Sequence, residues 1–367
     1  MLSNSMGLIL ADHDRVHLGD LTRLRALAAV PIFGRYRIID FTLSNMVNSG
    51  ITNVGVAAMT KYKSLLDHIG TGASWDLDRM NQGLHILPPY INSSYFDRES
   101  GDLTGLYEFV IRGKQEYVVI CDSNFLIKTD FSSLIQNHVK SKADMTIFYN
   151  QDGDRYGSPT FSLDLQEGVL RDFMADSLDS GTQKSAIGIL VISRELLLHI
   201  LSQSMSRGQA EFSIELLLKM YKQYKICGCE YKGSCLRINS ISTYYRSSMA
   251  LLDPEIRKSF FDLEAPIYTK VKNEAPAYYE SGSYVSNAVV SDGCTIYGSV
   301  SDSILFRGVR VEKHTNLQNC IIFQDAIIGE GADLHHVILD KNTVVRPGVR
   351  LQGQPEYPVV IGKGAIV

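Results

Sequence analysis

The sequence predicts two domains, an α/β domain followed by a left-handed parallel β-helix. Apolar runs alternate with helix-like segments over residues 1–252, and a small or branched apolar residue recurs every sixth position near the carboxyl end. Alternating strands and helices indicate βαβ units with a mixed, mainly parallel sheet. Hexapeptide spacing is typical of a parallel β-helix. A chain of 367 residues is long enough for two domains that each have a core.

The α/β prediction rests on short apolar runs separated by segments with helical periodicity. The predicted strands, in order, are residues 6–11, 54–58, 116–121, 145–149 and 186–192. The predicted helices, in order, are residues 41–48, 63–69, 131–141, 195–201 and 214–224. Open sheets of this kind bind ligands at the carboxyl ends of their strands, so we expect any binding site at that edge.

The β-helix prediction rests on triplets of apolar residues, each six residues after the last. The triplets are Leu305, Val311 and Leu317; Ile322, Ile328 and Leu334; Leu339, Val345 and Leu351; and a weaker first one, Ala288, Cys294 and Val300. Corresponding members lie 17 residues apart, which predicts one turn per triplet with the apolar residue pointing inward. One turn cannot bury its own inner face, so the turns must stack. An antiparallel β-sandwich is the alternative, but two-residue alternation does not explain the recurrence.

A segment without clear periodicity separates the two domains. Residues 253–282 contain Pro254, Pro266 and Pro276, which predicts a linker. The β-helix is therefore assigned to residues 283–367.

Composition excludes several classes of protein. The net charge of −4 argues against a nucleic-acid binder that relies on a basic face. Neither a signal peptide nor an apolar run long enough for a membrane span is apparent, so we expect a cytoplasmic protein without a nucleic-acid or membrane partner. Cys227 and Cys229 are separated by one residue, which indicates two reduced thiols on one face of a strand rather than a zinc site.

Two adjoining segments resemble a known family. Residues 33–41 read Phe-Gly-Arg-Tyr-Arg-Ile-Ile-Asp-Phe, and residues 43–51 read Leu-Ser-Asn-Met-Val-Asn-Ser-Gly-Ile. They resemble bacterial glucose-1-phosphate adenylyltransferase, also called ADP-glucose pyrophosphorylase, and the resemblance extends through both domains. It implies a Rossmann-like nucleotidyltransferase domain that forms ADP-glucose and pyrophosphate from ATP and glucose 1-phosphate. Such phosphoryl chemistry needs positioning, positive charge and Mg²⁺.

The phosphate-binding loop of that family is not retained. The family has Gly-Gly-x-Gly-x-Arg-Leu after the first strand, and its glycines let backbone N–H groups surround the triphosphate. Counted without gaps, the three glycines and the arginine fall on Asp12, His13, Arg15 and His17. Carboxylates at this loop repel a triphosphate, and side chains block the close approach that glycine permits.

Single residues that contact substrate in the family are also replaced. The resemblance places a phosphate-contacting lysine on Leu27, the glutamine after the second strand on Met59, and the lysine that holds the sugar phosphate on Asp176. The nucleotide and sugar subsites have therefore both lost residues that bind phosphate.

The two metal-binding aspartates implied by the resemblance fall on Asn124 and Arg237. An amide is a weak Mg²⁺ ligand, and a guanidinium repels the ion. Asp122 stands two residues before Asn124 as a possible substitute, and Glu211 and Glu215 are acids retained near the sugar site.

These losses predict a degenerate active site. The resemblance is strongest to the regulatory, GlgD-type branch, which implies a partner: a catalytic glucose-1-phosphate adenylyltransferase subunit in a hetero-oligomer, a heterotetramer. We expect no cofactor here, since Mg²⁺ and ATP would be used by the catalytic partner. Two alternatives stay open. One is a weakly active adenylyltransferase in which Asp122, Glu211 and Glu215 form a substitute metal site. The other is a stand-alone sugar-phosphate sensor that uses the basic residues Arg25, Arg35, Arg37 and Lys61.

Overall fold

The computed structural model describes residues 4–12, 16–58, 60–87, 103–151, 161–175, 184–209, 211–261 and 264–367. The α/β domain contains these strands: β1 Ser5–Leu10, β2 Pro31–Ile32, β3 Tyr36–Arg37, β4 Asn53–Ala57, β5 Gly83–Leu87, β6 Tyr117–Asp122, β7 Phe125–Ile127, β8 Met145–Asn150, β9 Phe161–Gln166, β10 Val169–Ala175, β11 Lys184–Ser193, β12 Ile226–Glu230 and β13 Cys235–Arg237. Nine of them form one mixed sheet in the order β5-β4-β1-β6-β11-β8-β12-β10-β9. Strands β5, β4, β1 and β6 are parallel, and β11 runs antiparallel to both of its neighbours, β6 and β8.

Some helices of this domain pack on the two faces of the sheet, and others pack at the boundary with the second domain. They are α1 Asp20–Arg23, α2 Ile38–Asn48, α3 Lys63–Ile69, α4 Thr104–Arg112, α5 Ser132–Ser141, α6 Arg194–Ser206, α7 Ile214–Leu218, α8 Ile241–Ala250 and α9 Pro254–Phe260. Apolar residues of α2, α3 and α5 fill the core on one face, and those of α4, α6 and α7 fill the core on the other. The predicted helix 214–224 is shorter than expected, because α7 tightens into a 3₁₀ turn at Lys219–Lys222.

The second domain is a parallel β-helix with three faces. Its strands are β14 Tyr278–Tyr279, β15 Tyr284–Ser286, β16 Val289–Val290, β17 Thr295–Ile296, β18 Ser299–Ser301, β19 Ile304–Leu305, β20 Arg310–Val311, β21 Asn316–Gln318, β22 Ile321–Ile322, β23 Ile327–Ile328, β24 Asp333–His335, β25 Val337–Leu339, β26 Val344–Val345, β27 Arg350–Gln352 and β28 Val359–Ile361. They form three five-stranded parallel sheets, each with every third strand of the series.

The 17-residue recurrence corresponds to strand register. Leu305 pairs with Ile322, and Ile322 pairs with Leu339. All three side chains are fully buried along the axis of the β-helix. The first turn differs from the prediction. Val290, not Ala288, is the partner of Leu305, because that turn is two residues shorter.

The outward residues of the third sheet join the two domains. Ile304, Ile321 and Ile338 are successive register partners with no exposed surface. They share one apolar cluster with Phe41 of α2 and Tyr244 of α8. The two domains therefore share an apolar core besides the core that each has of its own.

The segment predicted as a linker contains secondary structure at both ends. Helix α9 begins at Pro254 after an Asp253 side chain that caps it, and β14 pairs with β17 of the β-helix. The intervening chain lies along α2, where the Ser44 hydroxyl accepts a 2.8 Å hydrogen bond from the Tyr268 N–H. Within the described part of the chain, no helix is long and apolar enough to cross a membrane.

Candidate functional site

The residues at the carboxyl end of β1 make structural contacts. The Asp12 carboxylate accepts a 2.9 Å hydrogen bond from the backbone N–H of Thr60, which joins the loops after β1 and β4. His17 is exposed to solvent. His13, Arg15, Met59 and Asp176, which the sequence also assigned to the former site, lie outside the described residues.

Leu27 belongs to the interdomain core. Its side chain is 3% exposed and packs in the same cluster as Ile304 and Phe306 of the β-helix. A lysine with its charge at this position would require desolvation of the ammonium group, so the apolar residue suits the packing seen here.

The two positions to which the resemblance assigns metal-binding aspartates, Asn124 and Arg237, lie side by side. Strands β7 and β13 pair antiparallel, with Arg237 opposite Phe125, and the Ile238 N–H donates to the Asn124 carbonyl over 2.7 Å. The Asn124 side-chain amide donates to the Asn239 side-chain oxygen over 3.2 Å. The structure therefore brings together two residues that are far apart in sequence.

Arg237 is buried at this position and bound to the backbone. It is 1% exposed, and its Nη2 donates to the Ala186 carbonyl at 3.0 Å. Its own carbonyl accepts a 2.9 Å hydrogen bond from the Ser247 hydroxyl of α8. A unit positive charge ~4 Å from a cation is repelled by about 4 kcal/mol per unit charge at an effective dielectric near 20.

Asp122, the possible substitute ligand, ends β6 in a crowded setting. It is 5% exposed, and a Cβ added to Gly188 of β11 would lie only 2.6 Å from Asp122 Oδ2. Of the two retained acids, Glu211 is exposed and Glu215 forms a 2.9 Å ion pair with Lys219. Among the described residues, no three His, Cys, Asp or Glu side chains are grouped to hold a metal ion.

The paired cysteines lie on strand β12, as the alternation predicted. Both Cys227 and Cys229 are buried free thiols. Burial raises the pKa of Cys229 to about 11, so this thiol stays protonated at neutral pH and has the character of a packed core residue.

A basic pocket of about 270 Å³ lies between the two domains. It is bounded by the β2–β3 hairpin, α3, the segment after α9 and corners of the β-helix. Among the described residues, its cationic side chains are Arg35, Arg37, Lys270, Lys272, Arg307 and Lys341, and its one lining carboxylate is Asp67. Sequence reasoning identified Arg35 and Arg37 but not the other four, which come from distant segments.

The β2–β3 hairpin fits closely against the β-helix. Gly34 has φ +77°, and a Cβ there would lie 2.7 Å from the Ser291 hydroxyl, so glycine permits the close approach. Arg37 donates from Nη1 to the Ser64 hydroxyl at 2.9 Å. Burial, partly opposed by Asp40, lowers the pKa of Arg37 to about 10, which leaves the guanidinium charged at neutral pH.

A buried carboxylate and a histidine stand behind the pocket. Asp40 Oδ1 and His68 Nε2 are 2.5 Å apart, and Asp40 Oδ2 accepts a 3.0 Å hydrogen bond from the Arg37 N–H. Burial lowers the pKa of His68, although Asp40 opposes this shift. The His68 ring also contacts Trp75, with ring centroids 5.9 Å apart.

The other two basic residues of the sensor hypothesis have structural contacts. Arg25 Nη2 donates to both carboxylate oxygens of Asp340 at 2.9 and 3.0 Å, across the domain boundary, and both side chains are buried. Lys61 Nζ donates to the Thr22 carbonyl at 2.8 Å. Only Arg35 and Arg37 of the original four line the pocket.

Comparison with known proteins agrees with this architecture. Residues 6–171 match the nucleotidyl transferase family, and residues 275–356 match the GlmU-like, C-terminal hexapeptide family. The chain is 34% identical to the glycogen biosynthesis protein GlgD of Bacillus subtilis over all of this chain and 98% of that protein. It is 32% identical to glucose-1-phosphate adenylyltransferase of the same organism over 86% of this chain and 85% of that enzyme.

A third relative, glucose-1-phosphate adenylyltransferase of Halalkalibacterium halodurans, is 29% identical over 95% of this chain and 99% of that enzyme. The predicted resemblance and the predicted fold are both confirmed. The chain belongs to the family that contains GlgD and the bacterial glucose-1-phosphate adenylyltransferases.

Proposed function

We propose that this chain is a regulatory, essentially non-catalytic subunit of a cytoplasmic glucose-1-phosphate adenylyltransferase that acts in glycogen biosynthesis. Its partner would be a catalytic subunit of the same family, in a heterotetramer. The observation that carries the proposal is Arg237, a buried guanidinium at the position to which the resemblance assigns a metal-binding carboxylate.

The chemistry explains why this replacement matters. Transfer of a nucleotidyl group depends on positioning and on positive charge held at the phosphates, chiefly by Mg²⁺. Asn124 supplies only a weak ligand, and Arg237 repels the ion. Arg237 is also fixed to the Ala186 carbonyl, so its guanidinium already serves as a structural donor.

Relatives support the pathway and the partner. GlgD is a glycogen biosynthesis protein by name, and other relatives are glucose-1-phosphate adenylyltransferases by name. The alternative of weak intrinsic activity would require Asp122 to hold a metal. Its packing against the backbone of Gly188 favours the regulatory function.

The direct test measures ADP-glucose synthesis with Mg²⁺ for this chain alone, for a catalytic adenylyltransferase from the same genome alone, and for the two co-expressed. We expect trace activity from this chain alone, altered activity in the mixture, and co-elution in size-exclusion chromatography. Turnover of about 1 s⁻¹ or more by the chain alone, near the low end of ordinary enzymes, would contradict the proposal.

A second function, anion sensing, is favoured by the interdomain pocket. In the part of the chain that the structure describes, six cationic side chains and one carboxylate surround about 270 Å³, which is room for a phosphate group with a small organic moiety. The pocket contacts both domains, so an anion bound there would add contacts across their boundary. In this proposal the sensor would use Arg35 and Arg37, together with the β-helix residues Arg307 and Lys341.

Binding of radiolabelled sulfate in equilibrium dialysis tests this second function. Arg307→Gln should weaken binding, because it removes a lining charge, whereas Arg310→Gln on the exposed outer face of the β-helix should not. Equal affinity of both variants would place the anion elsewhere.

A further inference from the structure

We infer that Lys341 couples anion binding in the interdomain pocket to the uptake of one proton, so that the pocket loses affinity as the pH rises above neutrality. This inference rests on the anion-sensing function proposed above. It adds a direction of regulation: the pocket would be filled at lower pH and emptied at higher pH at a fixed anion concentration.

The side chain of Lys341 has cationic neighbours and, among the described residues, no hydrogen-bond or ion-pair partner. The residue follows β25, at a corner of the β-helix. Its backbone N–H donates to Asp340 Oδ1 at 2.7 Å, while the same carboxylate is held by both hydrogen bonds from Arg25. Within the described residues, Lys341 Nζ has no hydrogen bond or ion pair.

Charged groups reach this site from every element packed against it. From the β2–β3 hairpin, α3, the segment after α9 and the β-helix, they are Arg35, Arg37, Asp67, His68, Lys270, Lys272 and Arg307. Behind these lie Asp40, Arg25 and Asp340. Asp340 is neutralised by its buried partner Arg25, and Asp40 lies behind the pocket against His68 and the Arg37 N–H. Among the described residues, six cations and one carboxylate, Asp67, therefore line the pocket itself.

The same geometry makes Lys341 the group that changes charge near neutral pH. Burial, together with Arg37 and Arg25, lowers the pKa of Lys341 to about 7, against the opposing effect of Asp340. Arg37 keeps its charge, because its pKa falls only to about 10. His68 is neutral above pH 7, because burial lowers its pKa from the ordinary value.

A bound anion favours the charged form of Lys341. A negative charge within a few ångströms favours the ammonium form, so the pKa of Lys341 must rise when the anion binds. By linkage, the anion then binds more tightly where Lys341 is already protonated. Free protein at about pH 6 has a mostly charged Lys341, whereas at about pH 8 roughly one molecule in ten is charged, for a pKa near 7.

Sulfate is the suitable probe, because it keeps the same charge across this pH range whereas phosphate does not. Binding to the full-length chain is measured by dialysis at about pH 6, 7, 8 and 9 and at constant ionic strength. The fluorescence of Trp75, the one tryptophan of the chain, gives a second readout through its contact with His68. We expect nearly constant affinity below pH 7 and roughly tenfold weaker binding per pH unit above it.

Substitutions separate the charge of Lys341 from its bulk. Lys341→Arg keeps the charge throughout this range, so its affinity should not decline between pH 7 and 9. Lys341→Met should bind sulfate weakly at every pH. Lys363→Arg, at an exposed lysine of the same domain, is the matched control and should keep the wild-type profile.

The outcomes distinguish a failure of this inference from a failure of the anion-sensing function on which it rests. Absence of sulfate binding by the wild type at every pH would overturn the anion-sensing function itself. If the wild type bound sulfate with one affinity from pH 6 to 9, or if the decline in affinity persisted in Lys341→Arg, the role of Lys341 would be overturned. The anion-sensing function of the pocket would not be affected by either result. Calorimetry in two buffers that differ in ionisation enthalpy supports the inference if it reports about half a proton taken up at pH 7, and opposes it if it reports none.

Discussion

The Arg25–Asp340 pair gives the sharpest test of how the two domains are joined. The two side chains are 4% and 1% exposed, and the shorter of the two contacts is 2.9 Å. Arg25→Met would leave the Asp340 carboxylate buried without its counter-charge. Removal of one member of a buried pair costs about 3–5 kcal/mol. We expect the lower end, near 3 kcal/mol, because the Lys341 N–H still donates to this carboxylate.

The double variant Arg25→Met/Asp340→Leu isolates the charge interaction. Replacement of both charges by apolar residues is often close to neutral, so the double variant should be more stable than either single variant. The coupling between the two positions should therefore be about 2 kcal/mol or more. Arg310→Met is the control, because the exposed Arg310–Glu312 pair on the same domain should contribute less than about 1 kcal/mol.

Urea unfolding followed by circular dichroism and by Trp75 fluorescence measures these differences in the free energy of unfolding. Trp75 lies in the core of the α/β domain, so its signal reports that domain. If Arg25→Met destabilises the protein no more than Arg310→Met does, the reasoning that places a desolvated ion pair between the domains is refuted.

Three further predictions follow from other sites. Asn124→Asp alone, and Asn124→Asp with Arg237→Asp, should leave ADP-glucose synthesis at the wild-type trace level. Neither variant restores the phosphate-binding residues that the resemblance assigns to the loop after β1 and to Leu27. A competent enzyme from either variant would contradict this prediction. Val311→Asp should bury an unpaired carboxylate in the β-helix. A chain ending at residue 281 should aggregate, because the apolar core that the two domains share would be exposed. A soluble, monodisperse truncated chain in size-exclusion chromatography would show that the α/β domain does not need the β-helix to bury this surface. Burial lowers the pKa of His138 to about 4, so the free energy of unfolding should fall by up to about 3 kcal/mol as the pH falls from about 6.5 to 4. His138→Gln should reduce this loss of stability, as measured by urea unfolding at the two pH values. An unchanged loss would assign it to other titratable groups.

The β-helix could be predicted from sequence because its inward residues must repeat. Leu317 and Leu334 pair in register 17 residues apart, as the recurrence indicated. The end turns could not be predicted in the same way. Leu339 pairs with Ile361, 22 residues later, because residues between β27 and β28 form a longer corner. Inward packing constrains the strands, whereas corners at the surface tolerate insertions.

The α/β domain was predictable in its buried strands and less so at its edge. Strands β9 and β10 were missed, although Phe161, Leu163 and Leu165 alternate with polar residues and are buried. That two-residue alternation was the available signal. A register shift between Leu170 and Asp172 interrupts the pattern in β10, so periodicity alone is weaker there.

The interdomain pocket could not be predicted from sequence for a different reason. Arg35, Lys270, Arg307 and Lys341 belong to four separate segments, and none forms a motif on its own. They converge because the outward ladder of Ile304 and its register partners docks the β-helix on the α/β domain. Apolar packing sets the position, and the charges come together as a consequence.

Arg237 and the β-helix are connected through one helix, α8. Arg237 accepts through its carbonyl from Ser247 of α8. Two residues earlier on α8, the Tyr245 hydroxyl donates to the Asn319 carbonyl of the β-helix at 2.7 Å. A small carboxylate ligand at position 237 would not reach the Ala186 carbonyl with a donor, so the guanidinium adds a link between β13 and β11 that an aspartate cannot make. The Arg237 side chain thus joins β13 to β11, while its backbone carbonyl anchors α8, the helix through which this region contacts the β-helix.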